Sequence, residues 1–302
     1  SATANDVTAI GYLALSANTD AERNTAVGQS ALRRNTTGDY NTAMGQGSLA
    51  YNTTADNNTA FGFGALLANT TGTRNTAVGA NALDANAGTS DNTAVGYNAL
   101  TANTAADNAA FGSGALLANT TGSDNTAIGS GCLDANTTGA FNTAVGREAA
   151  GANTTGQGNT AIGQGALAAN VTGTSNTAIG QRALDAYTLN ECTALGVDAL
   201  GACTTGDSNV AVGNDAAEFL TTGGSNVAVG HDSMRYSNGG YNVAVGRRAL
   251  LGVSGSTTVQ YNTAIGKDAL LRLTTGNQNV AIGQASGDNC TTGDQNTYLG
   301  DN

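Results

Sequence analysis

The sequence has no proline and no tryptophan, a single histidine and two methionines. Without proline, no residue of the chain lacks a backbone donor. Basic charge is scarce as well. Eleven Lys and Arg stand against 22 Asp and Glu, a net charge of −11, which argues against a nucleic-acid groove. No apolar run approaches the ~20 residues of a membrane span. The four cysteines, Cys132, Cys192, Cys203 and Cys290, form no CxxC pair, so a structural zinc site is not expected. Cys203 and Cys290 share a repeat column, but five coils separate them, or roughly 24 Å at ~4.8 Å per strand. They cannot pair within one chain. All four read as small space-fillers. The lone His231 reads as a surface residue, because no Ser or Cys nucleophile constellation recurs around it. No signal peptide is visible, and a chain that opens on Ser1 is expected to be processed or partial.

What is present is repetition. The stretch Asn24-Thr25-Ala26-Val27-Gly28 returns at Asn41 to Gly45, Asn58 to Gly62, Asn75 to Gly79 and onward to Asn296 to Gly300. Copies end in eighteen glycines from Gly11 to Gly300; thirteen spacings are 17 residues, three are 16, and one, Gly246 to Gly266, is 20. Low complexity of this kind often means disorder. A disordered chain has no reason to hold its apolar residues at fixed offsets. A tight period predicts a stacked array, an all-β parallel solenoid of the β-roll type with about 17 coils. Its parts are a degenerate first coil over 1–23, regular coils over 24–300 and a truncated end at 301–302. The chain stops in mid-coil, which points to a longer product or a removed downstream piece such as a C-terminal chaperone.

Within one coil, Thr25, Ala26 and Val27 form a short strand whose alternation puts Thr25 and Val27 on one face and Ala26 on the other. Gly28 is a turn or bulge. Ala31-Leu32 opens a second apolar segment, and Asn35-Thr36-Thr37-Gly38 is a second turn rich in residues that bond their own backbone. The residue before each glycine is always Ile, Val, Met, Phe or Leu, and the residue three before it exchanges Thr for Val at Val210, Val227, Val243 and Val280. Both columns are expected to face inward with Leu32 and its equivalents. The column two before the glycine is Ala in seventeen of eighteen copies, and the column three after it holds only Ala, Ser or Cys. These uncharged small-residue columns predict a self-association seam through Ala26, Ala43, Ala60, Ala77, Ala94, Ala31, Ala65 and Ala82.

The N-T/V-A-V/I-G motif resembles the NSVAIG-type repeat in the heads of YadA-like trimeric autotransporter adhesins. The longer unit NTAVGxxAL…NTTG is similar to repeats of phage and bacterial fibre proteins. The resemblance covers nearly the whole chain. It implies a left-handed β-roll, three chains per fibre and a role in surface attachment. The 17-residue unit is longer than the usual head repeat, which implies a larger second turn.

Several columns invite a site. The Asn column beginning Asn24, Asn41 and Asn58 reads as stacked amides bonding to the next coil. Asn35, Asn52, Asn69, Asn119, Asn136, Asn153 and Asn170 form N-x-T sequons that turn chemistry explains without a glycan. Asp39, Asp91, Asp107, Asp124, Asp207 and Asp294 lie near turns, but the calcium-binding GGxGxDx pattern is absent. No metal or cofactor is expected. A strip just after the glycines carries Tyr12, Phe63, Tyr97, Arg147, Arg182, His231, Arg247 and Lys267. It is expected to be solvent-exposed, and its aromatics to be candidates for stacking on sugars. Three extra residues around Val253 to Gln260 predict an outward loop.

The leading expectation is a non-enzymatic structural and adhesive fibre segment, extracellular on a virion tail fibre or a cell surface. Its partner is itself, as a homotrimer, with a host-surface glycan or protein receptor beyond. It makes no nucleic-acid contact and inserts in no membrane. The alternative is a monomeric ice- or glycan-binding solenoid, favoured by Thr in register. A polysaccharide depolymerase is disfavoured, since its paired carboxylates at fixed separation are not found among the singly scattered acids.

Overall fold

The computed structural model describes residues 6–255 and 258–301. Among them every regular element is a three-residue β-strand, and there is no helix. The chain forms two compact units, Ser1–Thr155 and Gly156–Asn302. The first contains nine strands from β1 (Thr8–Ile10) to β9 (Thr143–Val145), and the second nine from β10 (Thr160–Ile162) to β18 (Thr297–Leu299). Within each unit, every strand pairs in parallel with the strand one repeat later. Equivalent positions face each other: Thr25 opposite Thr42, Ala26 opposite Ala43, Val27 opposite Met44. Each unit is a parallel β-solenoid, as the period predicts.

One expectation is reversed. The strand face that turns inward is the alanine face, not the Thr/Val face. Ala26, Ala43, Ala60, Ala77 and Ala94 are wholly buried inside a single chain, as are Ala31, Ala65 and Ala82. These residues are therefore core, and the small-residue columns are no intermolecular seam. The outward members of the same strands, such as Thr25 and Val27, are half-buried, and Phe61 is 53% exposed. The reason is the Asn column. Asn24 Nδ2 donates to Gly38 O within its own coil (2.8 Å), and its Oδ1 accepts from the Asn41 N–H of the next coil (2.8 Å). Both bonds require the side chain to point into the coil. Asn24 and Ala26 are two residues apart, so alternation carries Ala26 inward too. The strand side of a coil this thin holds methyl groups, and the fully buried Leu32 column supplies the larger core side chains.

The leucine expectation holds. Leu32, Leu49, Leu66, Leu83 and Leu100 are fully buried. Each has left-handed backbone, with φ of 48° at Leu32 and 52° at Leu66. That region costs a residue with a Cβ roughly 1–2 kcal/mol, and burying the leucine contributes about 1.5–3 kcal/mol. Two further columns share this backbone, the first mostly half-buried and the second exposed. The residue two after the glycine (Ser30, Asn81, Asp198, Asp215) and the residue before the Asn (Tyr40, Arg74, Asp91) all have positive φ. The recurrence of Gly, Asn and Asp in the first of these columns has a conformational cause.

The second turn is also a ladder. Asn35 Nδ2 donates to Gly38 O (2.8 Å), and Asn52 Nδ2 to Asn35 Oδ1 (2.7 Å). Thr36 Oγ1 donates to Thr53 O of the next coil (3.0 Å). All changes of repeat length fall in this turn. The spacing from the second Asn column to the first is six residues in Asn35–Asn41, and five in Asn103–Asn108, Tyr187–Cys192 and Ser237–Asn242. The three-residue insertion lies between Gly252 and Val259. Val253, Ser254, Gly255 and Thr258 are exposed, as expected of an outward loop, while Val259 is buried and restores the register. Residues 256 and 257 of that expected loop lie outside the described residues.

Glycines of the repeat motif sit where coils touch. At Gly62 (φ +139°) an added Cβ would stand 2.5 Å from the Gly79 carbonyl oxygen of the next coil, closer than any carbon and oxygen tolerate.

Two substitutions test the inward face. Asn58→Ala strands the Asn75 N–H and leaves the Gly72 carbonyl to Asn69 Nδ2 alone, and should destabilise the first unit by about 1–3 kcal/mol in urea unfolding, the cost of one orphaned buried group. Ala94→Glu places a carboxylate inside the coil and should cost at least several kcal/mol. An Ala94→Glu protein that unfolds like the parent would place this column outside the core.

Candidate interaction surfaces

With the alanines inward, each strand turns its Val, Ile, Met, Leu or Phe outward. In the first unit Met44, Phe61, Phe111 and Ile128 are exposed; in the second Ile162, Leu195, Ile265 and Ile282 are. The Thr or Val of each strand, Ala109 in one of them, stands beside them, as at Thr25 and Val227. Strands ~4.8 Å apart set nine such pairs in single file over roughly 40 Å in each unit. Half-buried members such as Val27, Val78 and Val95 alternate with these exposed ones, and an apolar band of this kind is a candidate interaction surface. The sequence reading missed it by taking these residues for core. The signal was in the sequence: a buried Asn ladder and an outward alanine two positions later are incompatible.

The strip after the glycines lies where it was expected. Tyr12, Phe63, Tyr97, Arg147, Arg182, His231, Arg247 and Lys267 are all exposed. They do not converge on one site. Charged neighbours on this surface pair between coils: Arg182 makes a bidentate pair with Asp198, both bonds 2.7 Å, and Arg248 Nε bonds Asp268 at 2.7 Å. Arg74 and Asp91 do the same one turn away. Asp91 is held below the usual carboxylate range by its hydrogen bonds to Arg74. Pairs this exposed are screened by solvent and add little to stability.

The acids cluster at one point. Asp215, His231 and Asp232 bring potential ligand atoms within 4.8 Å of one another. His231 Nδ1 is 2.8 Å from Asp232. Arg235 occupies the same ground, 2.9 Å from Asp232, 3.5 Å from Asp215 and 2.7 Å from Glu218. A guanidinium already supplies the cation these carboxylates need.

The sequon asparagines are buried: Asn35, Asn52, Asn69, Asn119, Asn136, Asn153 and Asn170 are all fully covered. Their amides serve the turn, as at Asn119 Nδ2 to Gly122 O (2.9 Å), and so are closed to a glycosyl donor. The cysteines are free, as expected. Cys132 stands in the Ala31 column, and Cys192 takes the Asn position, where its N–H still bonds Asn176 Oδ1 at 3.1 Å. Cys203 is also buried, and Cys290 is half-buried.

Aromatic rings gather in the second unit. Phe219 stacks on Tyr236 with centroids 5.3 Å apart and planes within 5°. Tyr241 stacks on Tyr261 at 5.0 Å and 7°. In-register repeats impose this: residues in one column lie one strand spacing apart, and parallel rings fit that gap.

No family model matches the chain, and no curated protein matches it either.

The thiols make a pH prediction. Burial pushes both Cys132 and Cys203 up to about 12 from 9.0. An acid whose folded-state pKa is raised contributes its full stability below the unfolded value and loses it as pH climbs through the folded one. Unfolding measurements should therefore show stability falling between pH 9 and 12, and Cys132→Ala should reduce the fall in the first unit. At pH 8 iodoacetamide should reach Cys290 first in the native protein and all four thiols in denaturant; rapid native labelling of Cys132 would contradict its burial.

Proposed function

We propose that the chain is a non-enzymatic segment of an extracellular attachment fibre, assembled as a homotrimer through the outward Thr/Val and Val/Ile/Phe columns. The observation that carries this reading is the apolar band itself. It runs along the stacking direction in each unit, and its members alternate with the fully buried alanines of the same strands. Parallel copies around a common axis cover such a band along its length while leaving the charged strip and the turns in solvent. The expected resemblance to trimeric adhesin heads and fibre repeats supplies the number three, and attachment to a host or surface is the use such a segment serves. The seam moves from the alanines to their neighbours, and the rest of the fibre reading stands on that.

The stacked coils suit a mechanical part. Within each unit, backbone, Asn and Thr ladders connect each coil to the next, so load there passes through many bonds. The Thr36-type hydroxyls are engaged with carbonyls of the following coil. This takes the turn hydroxyls out of an ice-binding array, while the outward Thr25, Thr42 and Thr59 column shares its face with Val27, Met44 and Phe61.

Native mass spectrometry of the intact chain should give about 89 kDa, three times 29.6 kDa. Phe61→Glu combined with Ile128→Glu should lower the mass to that of one chain while the far-ultraviolet circular dichroism of the coil is retained. A parent protein at 29.6 kDa, or a double variant that remains trimeric, would contradict the seam.

A further inference from the structure

We propose that the groove against the Phe219–Tyr236 stack binds a neutral pyranose unit of a surface glycan. The inference rests on the attachment reading and names the chemistry of the attachment point. In this column of the second unit the coils carry Ala169, Ala186 and Ala202, then Phe219 and Tyr236, and then Gly252. Two rings thus rise from a run of methyl groups, and the next coil, tied to Tyr236 by its N–H to Leu251 O (2.9 Å), offers a glycine with no side chain to continue the ladder. A step is left beside the ring of Tyr236. The inserted turn forms the far wall through Ser254, Gly255 and Thr258, and the result is an open groove of about 430 Å³. That size falls in the range of small-ligand sites, roughly 300–1,000 Å³.

The lining fixes the ligand class. Besides the two rings it consists of Thr221, Asn238, Ser254, Gly255 and Thr258. None of these described lining residues is charged, on a chain whose net charge is −11. An aromatic face takes the apolar C–H face of a sugar ring, and hydroxyl and amide groups at its rim take the sugar's hydroxyls. Asn238 Oδ1 is engaged by the N–H groups of Thr221 (2.9 Å) and Thr222 (3.0 Å). This orients the side chain and assigns its Nδ2 the role of donor to the ligand. An anionic sugar would find no partner in this lining and would be repelled by the acidic chain.

The platform is held before the ligand arrives. Arg235 lies 5.7 Å from the Phe219 centroid and 5.5 Å from that of Tyr236. Its guanidinium is fixed by Glu218 at 2.7 Å and Asp232 at 2.9 Å. A cation held at the rings restrains their rotation, so little side-chain freedom remains to be lost on binding. Phe219 also borders a second depression of about 270 Å³ with Glu218, Asp198 and Arg182, so a chain of sugars has room to continue past the stack.

The test is saturation-transfer NMR and calorimetry with neutral trisaccharides of glucose, galactose, mannose and N-acetylglucosamine, each up to 10 mM, against a hyaluronan tetrasaccharide as the anionic comparison. At least one neutral sugar should bind with transfer from the Phe219 and Tyr236 ring protons. Tyr236→Ala should weaken it at least tenfold. Asn238→Asp keeps the acceptor for Thr221 and Thr222 and removes the donor, and should weaken it several-fold without lowering the melting temperature. Tyr51→Ala, in the first unit, should bind like the parent. No binding by any neutral probe, tighter binding of the anionic one, or an unchanged Tyr236→Ala would each overturn the proposal. The mass of the same sample separates this from the fibre reading: a trimer that binds none of the neutral sugars defeats the sugar site alone.

Discussion

The structure depends on where one amide points. Asn24 and its equivalents turn into the coil because each serves an N–H of the next coil and shares with the second Asn column a carbonyl of its own turn. A buried carbonyl or N–H left without a partner costs about 1–3 kcal/mol, and the ladder meets this requirement once per coil. Everything else on the strand follows by alternation. The alanine two residues on becomes core, and the residues between and after it become surface. The core is thin because its strand side is made of methyl groups, and the fully buried leucine column supplies its larger side chains from a left-handed backbone.

Much of this was legible in the sequence. The period gave the parallel solenoid, the Leu32 column gave one wall of the core, and the two Asn columns gave the ladders that join coils and shape turns. The extra residues near Val253 read as an outward loop for a sound reason: a solenoid accepts length change only where no neighbour packs. The same principle places the three one-residue deletions in that turn. What misled was the parity of a three-residue strand. Thr25 and Val27 look like core by hydrophobicity, and a strand so short offers no second turn of the pattern to check against. Hydrogen-bonding demand decided the face, and it outweighed side-chain apolarity.

Reversing the face also changes what the surface is for. A solenoid that buries alanine and displays valine, isoleucine and phenylalanine has its best hydrophobic residues in the wrong place for a solitary chain. In the proposed fibre, these residues form a second core shared between copies, while the turns and the charged strip stay in water. The aromatic stack at Phe219 and Tyr236 lies on a different column and depends on a different device, a ladder ended by Gly252 and walled by the inserted turn. Stability in this scheme comes from columns that vary little, with exceptions such as Cys192 in the Asn column and Met234 in the leucine column. Recognition comes from the few coils where a column is broken.

The assignment of inward and outward faces can be read directly by placing one new cysteine on each side of one strand, in a chain whose half-buried Cys290 is changed to Ser. Val95→Cys and Ala94→Cys differ by one position on one strand. Treated with a short bismaleimide, the Val95→Cys chain should crosslink to its own copies and run as a covalent dimer on a denaturing gel, while Ala94→Cys should remain a single chain. Crosslinking at Ala94→Cys with none at Val95→Cys would contradict the account at its centre, putting the alanines between chains and the valines inside them.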